Sequence, residues 1–209
     1  MTVRNIGAML DSALTMKSHI NSITKSCYAQ IRNLSKIRKY LTEDSAKTLA
    51  HAFATSRLDN MNSLLFGLPK YLTQKLQNVQ NHMARIVKKQ RKSSHITPTL
   101  IELHWLPVEY RSQYKILLLV FKCLHGKGPA YLASMLEEYQ PPRELRSASQ
   151  FRLSEPPAQA VHKKYGERAF SVAGPRLWNK LPLPLKCSPS VNSFKKALKT
   201  HLFKEAFGT

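Results

Sequence analysis

The chain has 209 residues, 43% of them hydrophobic, and sets 33 Lys and Arg against 12 Asp and Glu for a formal net charge of +21. That apolar content builds a core and excludes a disordered polyelectrolyte, while a surplus this large repels itself in a compact fold unless a polyanion neutralises it. Nucleic acid is the leading partner class, an anionic membrane the second and a ribosome-like assembly the third.

Residues 3–14, VRNIGAMLDSAL, read as a short strand or turn, with Gly7 and Asp11-Ser12 as turn formers. A strand this short, opening directly into a helix, has no sheet partner nearby in sequence, and a chain cut upstream is the expectation. From 18 to 40, Ile20, Ile23, Cys27, Ile31, Leu34 and Ile37 recur at steps of three and four, predicting an amphipathic helix with Arg32, Lys36 and Lys39 outside. Thr42 then reads as an N-cap, followed by Glu43 and Asp44 in the first turn, where acids suit the helix dipole. The second helix is expected to bury Ala46, Leu49, Ala50 and Phe53, with Leu58 and Met61 as further candidates. It stops at Gly67 and restarts at Pro69. A third helix carries Leu72, Leu76, Val79, Met83, Ile86 and Val87 inward. Three such helices with short connections pack as an antiparallel bundle.

The third helix runs into Lys88-Lys89-Gln90-Arg91-Lys92, read here as the domain junction. Beyond it, Thr97 as N-cap and Pro98 at the first helical position open a short apolar helix with Leu100, Ile101 and Leu103. Pro107 starts a longer one with Tyr110, Tyr114, Leu117, Leu118 and Phe121 inward, and Gly126 and Gly128 stop it. Its apolar run, 116–121, is far shorter than the roughly 20 residues that span a bilayer. Residues 129–136 give another short helix. Phe151 and Leu153 are candidates for one extended strand, and Ala169-Phe170 and Leu177-Trp178 look like anchors on a core. Ser190 caps a final helix with Val191, Phe194, Leu198, Leu202 and Phe203 inward and Lys195, Lys196, Lys199 and Lys204 outward. The predicted architecture is therefore mainly α. A strand and a three-helix bundle fill 1–92. An irregular helical domain with few or no strands fills 93–209 and is less ordered over about 140–189.

Chemistry-bearing patterns are sparse. The eight histidines and three cysteines form no CxxC or zinc-knuckle spacing. Cys123 and His125, with His104 and His95 nearby in sequence, are the one possible cluster, and helix packing explains them better. No nucleophile elbow or Cys/His protease signature is present. Gly126-Lys127-Gly128 lacks the rest of a phosphate loop and follows a helix, which makes it a helix stop. No catalytic, metal or cofactor residue is assigned, and no small-molecule substrate is expected. The cysteines, Cys27, Cys123 and Cys187, are far apart and odd in number, which suits a reducing compartment. The N-terminus lacks the apolar core and cleavage site of a secretory signal. A nuclear or cytoplasmic location, without secretion or membrane partner, is the expectation.

Function is read from the basic residues. Arg32, Lys36, Arg38 and Lys39 cluster at one predicted helix end, and Lys88, Lys89, Arg91 and Lys92 at another. Complementing helix C-termini accounts for some of these charges but not for the whole surplus. Contact with RNA or DNA through phosphates, without base reading, is the expected role. Trp105, Tyr110, Tyr114 and Trp178 have the spacing of core residues rather than of a stacking platform.

A series of phrases in the chain resembles the C-terminal part of reverse transcriptases from non-LTR, LINE-like retrotransposons of the CR1, L2, Rex and jockey kind. In order they are NIGAMLDSAL with the following HI, RLDNMNSLLFGLP, LQNVQNHMARIV, HITPTLIELHWLPVEYRSQYKILLLVFKCLHGKGPAYL, AFSVAGPRLWNKLP and SFKKALKTHLF. LHWLPV followed by YKILLLVFKCLHG is the most specific. The resemblance implies that 3–12 end a palm, that 18–89 form a thumb gripping template–primer duplex, and that the remainder is the C-terminal domain. It also implies a reverse-transcriptase palm as a protein partner. RNA-directed DNA polymerases of this kind hold two metal ions on palm aspartates, one pair of them adjacent. No Asp-Asp pair exists here; the adjacent acids are Glu43-Asp44 and Glu137-Glu138, both expected in helices. The expectation is a non-catalytic fragment that binds nucleic acid. The alternative is a relic or repurposed protein-interaction module without a nucleic-acid role, and an independent enzyme ranks last.

Overall fold

The computed structural model describes residues 2–140, 151–157, 159, 161 and 166–208. They are mainly helical and divide into two compact units, 1–112 with 206–209 and 113–205. The boundary therefore lies within a helix and not at the basic stretch 88–92, as the sequence suggests. Leu100, Leu103, Trp105 and Val108 all belong to the core of the first unit. Gln80 and Gln77 on the third long helix fasten the segment further, donating to the Leu106 carbonyl (2.9 Å) and accepting from the Val108 N–H (2.9 Å).

The first unit opens with a hairpin, β1 (Thr2–Asn5) and β2 (Ala8–Asp11), antiparallel with Asn5 opposite Ala8. The expectation of a strand without a nearby partner is thus corrected. Ile6 and Gly7 both take positive φ, 44° and 86°, as a two-residue primed turn requires. A branched residue at the first of those positions hides the turn from a reading that looks for Asn-Gly. The Asp11 carboxylate accepts from the Thr15 and Met16 N–H groups and leads the chain into α1 (Lys17–Ile37). Ile20, Ile23, Cys27, Ile31 and Leu34 are buried as their spacing predicts, and Ile37 is exposed.

Thr42 caps α2 (Glu43–Ala50), accepting from the Ser45 N–H at 3.2 Å. The helical path continues through a wide π turn over His51–Thr55 into α3 (Ser56–Asp59). The wider turn shifts the inward stripe to Ala46, Ala50, Ala54 and Leu58, so Phe53, expected inside, stands 37% exposed. Gly67, at φ 68°, ends this stretch and α4 (Lys70–Val87) follows, burying Leu72, Leu76, Val79, Met83 and Val87. Partner numbers between α1 and α4 rise together: Asn21 meets Lys75, Tyr28 meets His82, and Arg38 meets Ile86 and Val87. The two helices are therefore parallel. The intervening helical stretch runs back between them, with Glu43 at the Lys88 end and Arg57 and Asn60 sharing a cleft with His19 and Ser22 at the other.

A short helix, α5 (Thr97–Glu102), begins one residue earlier than expected, with Ile96 at the cap and no capping bond from Thr97. In the second unit, the C-terminal part of α6 (Val108–Leu124) ends at Gly126, whose φ of 65° is a left-handed helix stop. After α7 (Ala130–Ala133) the chain is extended. Glu137-Glu138 is not helical: Glu138 bridges Leu153 antiparallel, the extended contact expected of Leu153. Then come α8 (Phe170–Lys180), α9 (Leu183–Lys186) and α10 (Val191–Phe207), so 170–180 and 183–186 within the stretch expected to be less ordered are helical; 141–150, 158, 160 and 162–165 within it lie outside the described residues. Phe121, Trp178 and Phe194 form the aromatic centre, with Phe121 and Phe194 stacked at 4.1 Å. Gly174 lets α8 approach closely, since a Cβ there would sit 3.0 Å from the Val120 methyl.

Candidate nucleic-acid interface

Parallel packing of α1 and α4 has a consequence for charge. Both C-termini reach the same end of the first unit, so the two basic clusters that the sequence keeps about fifty residues apart are brought together. The tie is Arg38. It is buried at 8% exposure, and its guanidinium donates to the carbonyls of Ile86 (3.0 Å), Val87 (2.6 Å) and Leu41 (2.7 Å). The last carbonyls of α4 lack helical partners, and a buried cation satisfies both their lone pairs and the negative end of the helix dipole. Arg38 is thus committed inside the fold and is removed from the expected phosphate contacts.

Lys88 is removed as well. Its side chain is 14% exposed and its ammonium lies 2.8 Å from Glu43 and 2.5 Å from Glu102. The hydrogen bonds to Glu102 and Glu43 raise the Lys88 pKa. Those from Lys88 and Lys47 hold the Glu43 carboxyl down at about 2. Lys88 therefore gathers the two glutamates at this end of the unit, and Lys47 takes the other oxygen of Glu43 at 2.9 Å.

The other six expected residues remain available. Arg32, Lys36 and Lys39 lie on the exposed stripe of α1 and its terminal turn, spread over about 10 Å at the helical rise of ~1.5 Å per residue. Lys39 rests 4.8 Å above the Tyr40 ring, itself 77% exposed. Lys89, Arg91 and Lys92 are exposed on the loop beyond α4. That loop is held in place from beneath: Arg85 donates to the Ser94 carbonyl (3.3 Å), and Thr99 donates to Gln90 (2.5 Å). Among the described residues none of the six has a carboxylate within ion-pair distance. Sequence reasoning missed Lys25, which is exposed one heptad before Arg32 on the same stripe; the i to i+7 spacing is the signal that finds it.

Among the described residues no group of three or more His, Cys, Asp or Glu is placed to hold a metal ion. Cys27 and Cys123 are buried, and burial pushes the Cys27 thiol up to about 11. His125 bonds the Phe121 carbonyl through Nδ1 at 2.8 Å and stacks on the Phe121 ring at 3.9 Å. Trp105 and Trp178 are buried, and Tyr110 and Tyr114 half-buried, in keeping with packing. No helix of the described residues is long and apolar enough to cross a membrane. Comparison with protein-family models, with curated proteins and with solved structures finds no match to this chain.

Proposed function

We propose that the chain is the non-catalytic C-terminal portion of a retrotransposon-type RNA-directed DNA polymerase. In this reading it grips a template–primer duplex, RNA or DNA, through backbone phosphates, and residues 18–89 of the first unit act as the thumb. The observation that carries the reading is the convergence of six exposed cations at one end of that unit, where the neighbouring glutamates are already neutralised by Lys47 and Lys88. The ordered phrases resembling LINE-like polymerases supply the polymerase context, and a palm is the protein partner that context implies. Lysines and arginines facing a duplex backbone release counterions on binding, so affinity falls as salt rises.

The test is a salt titration on an RNA–DNA hybrid. With six phosphates neutralised, log K against log salt has a slope of about −5. Replacing Lys89, Arg91 and Lys92 together by Gln flattens it by about 3 and leaves thermal unfolding unchanged, because those side chains are exposed. No binding at low salt, or an affinity indifferent to salt, sinks the proposal.

A further inference from the structure

The second unit holds a cavity of about 560 Å³, within the usual size range of small-ligand sites. Its walls combine aromatic rings with charge: Tyr139, Phe151 and Trp178 line it together with Arg152, Lys186 and Glu138. Phe151 is the unusual member. The residue is 63% exposed, and its backbone adopts φ 46°, a left-handed conformation that aromatic residues avoid.

Three attachments hold it there. The Trp178 indole N–H donates to the Phe151 carbonyl at 2.8 Å. Asn179 grips Leu153 at both backbone groups, accepting from its N–H and donating to its carbonyl, each at 2.9 Å. The Tyr139 N–H donates to the Arg152 carbonyl at 3.0 Å, which sets Tyr139 beside the same segment. Strain held by several bonds marks preorganisation for a partner. Two rings standing in solvent at a cavity mouth are suited to a planar group.

The charges define the rest of the ligand. Lys186 is only 6% exposed and Arg152 bears on the same cavity. Burial, and then the charge of Arg152, lower the Lys186 pKa, and the two side chains together give this wall of the cavity a positive character that suits an anion. Glu138 on the same wall repels a bare phosphate but accepts N–H donors, which a nucleobase carries and inorganic phosphate does not.

We infer that this cavity takes one unpaired nucleotide of a polynucleotide, its base stacked on Phe151 and Tyr139 and its phosphate at Arg152 and Lys186. The inference deepens the nucleic-acid reading above and rests on it for the source of the nucleotide, while adding a single-strand contact to a duplex grip.

The experiment compares three labelled duplexes by fluorescence anisotropy at one salt concentration: blunt, with a short 3′ overhang, and with the same overhang lacking its bases. The intact overhang binds about tenfold more tightly than the blunt duplex, as base stacking on aromatic rings provides. The abasic overhang loses most of that gain. Phe151→Ala abolishes the gain without changing blunt-duplex affinity or thermal unfolding, since the ring is exposed. Equal binding of intact and abasic overhangs, or a Phe151→Ala variant that weakens all three duplexes alike, overturns the inference. Failure of the blunt duplex to bind refutes the duplex grip instead. Adenosine monophosphate then tests the cavity alone: quenching of Trp178 by it and not by inorganic phosphate supports the site, and no quenching overturns it.

Discussion

Replacing Arg38 by Ala separates the two roles that a basic residue at a helix end can have. In the structure the guanidinium is buried and donates to three backbone carbonyls, two of them at the end of α4. A hydrogen bond to a charged group contributes about 1.5–3 kcal/mol, and leaving a buried acceptor without a donor costs about 1–3 kcal/mol. Such terms overlap, and water reaches part of the space left by truncation, so the net loss is about 3–5 kcal/mol rather than their sum. With a urea dependence of about 2 kcal/mol/M, the unfolding midpoint falls by about 2 M. Trp105 reports on the first unit when Trp178→Phe removes the other tryptophan, so the midpoint is read by fluorescence. Arg38→Lys keeps the charge but loses the planar fork, and recovers about half of the stability. The structural role is refuted if Arg38→Ala leaves the midpoint within about 0.5 M of the parent while hybrid affinity drops; Arg38 would then be the phosphate contact that its sequence neighbours suggest.

Three further outcomes follow from the same end of the fold and from the core. Glu43 has a folded pKa of about 2 against an ordinary 4.5, so its ion pairs stabilise fully above the higher value and are lost as pH falls towards the lower; Glu43→Gln should close the stability gap to the parent over that acid range, read by thermal melts. Lys88→Met releases Glu102 and leaves Glu43 to Lys47 alone, which should weaken hybrid binding by repulsion while leaving the salt slope nearly unchanged; a slope flattened by about 1 would make Lys88 a phosphate contact after all. Maleimide should label exposed Cys187 in the native protein and spare buried Cys27, whose thiol is held at about 11, until denaturant is added, as mass spectrometry of digests will record.

What was legible in the sequence follows from the range of the physics involved. The stripes of α1 and α4 are set by local periodicity, and the residues the spacing picks out are buried except Ile37, which is exposed at the helix end, and Ile86, which is half-buried. The π turn at His51–Thr55 is a local defect in that periodicity, so a regular count carries Phe53 to the wrong side and misses Ala54. The division into units was missed because residues 97–108 are fastened by side-chain bonds from Gln77 and Gln80, with no chain signal of their own. For the basic residues, composition gives the surplus and helix spacing gives the exposed stripe. It gives nothing of Arg38 and Lys88, because two of the three Arg38 acceptors, the Ile86 and Val87 carbonyls, are forty-eight and forty-nine positions away and Lys88 pairs with two glutamates on separate helices. Phe151 escapes for a related reason: its exposure depends on an indole N–H and an amide side chain from α8.

The distribution of the few acids explains why the surplus stays accessible. Neither α1 nor α4 carries an acidic residue, so their parallel alignment concentrates positive charge without internal compensation. Most acids described in the first unit are committed to holding the chain: Asp11 to the turn before α1, Glu43 and Glu102 to Lys88, and Asp59 to a two-pronged pair with Arg111. An exposed cation with a mobile acidic neighbour is screened before any ligand arrives. Here most of the described acids are held against chosen bases, and Arg32, Lys36, Lys39, Lys89, Arg91 and Lys92 are exposed with no carboxylate within ion-pair distance among the described residues. The cost is mutual repulsion at one end of the unit, and Arg38 offsets part of it by clamping the two helix ends together from inside. That arrangement stabilises the fold and leaves the outward charge exposed, which is why, if the proposed phosphate grip holds, loss of the clamp should register in stability and loss of the outward cations in salt-dependent binding.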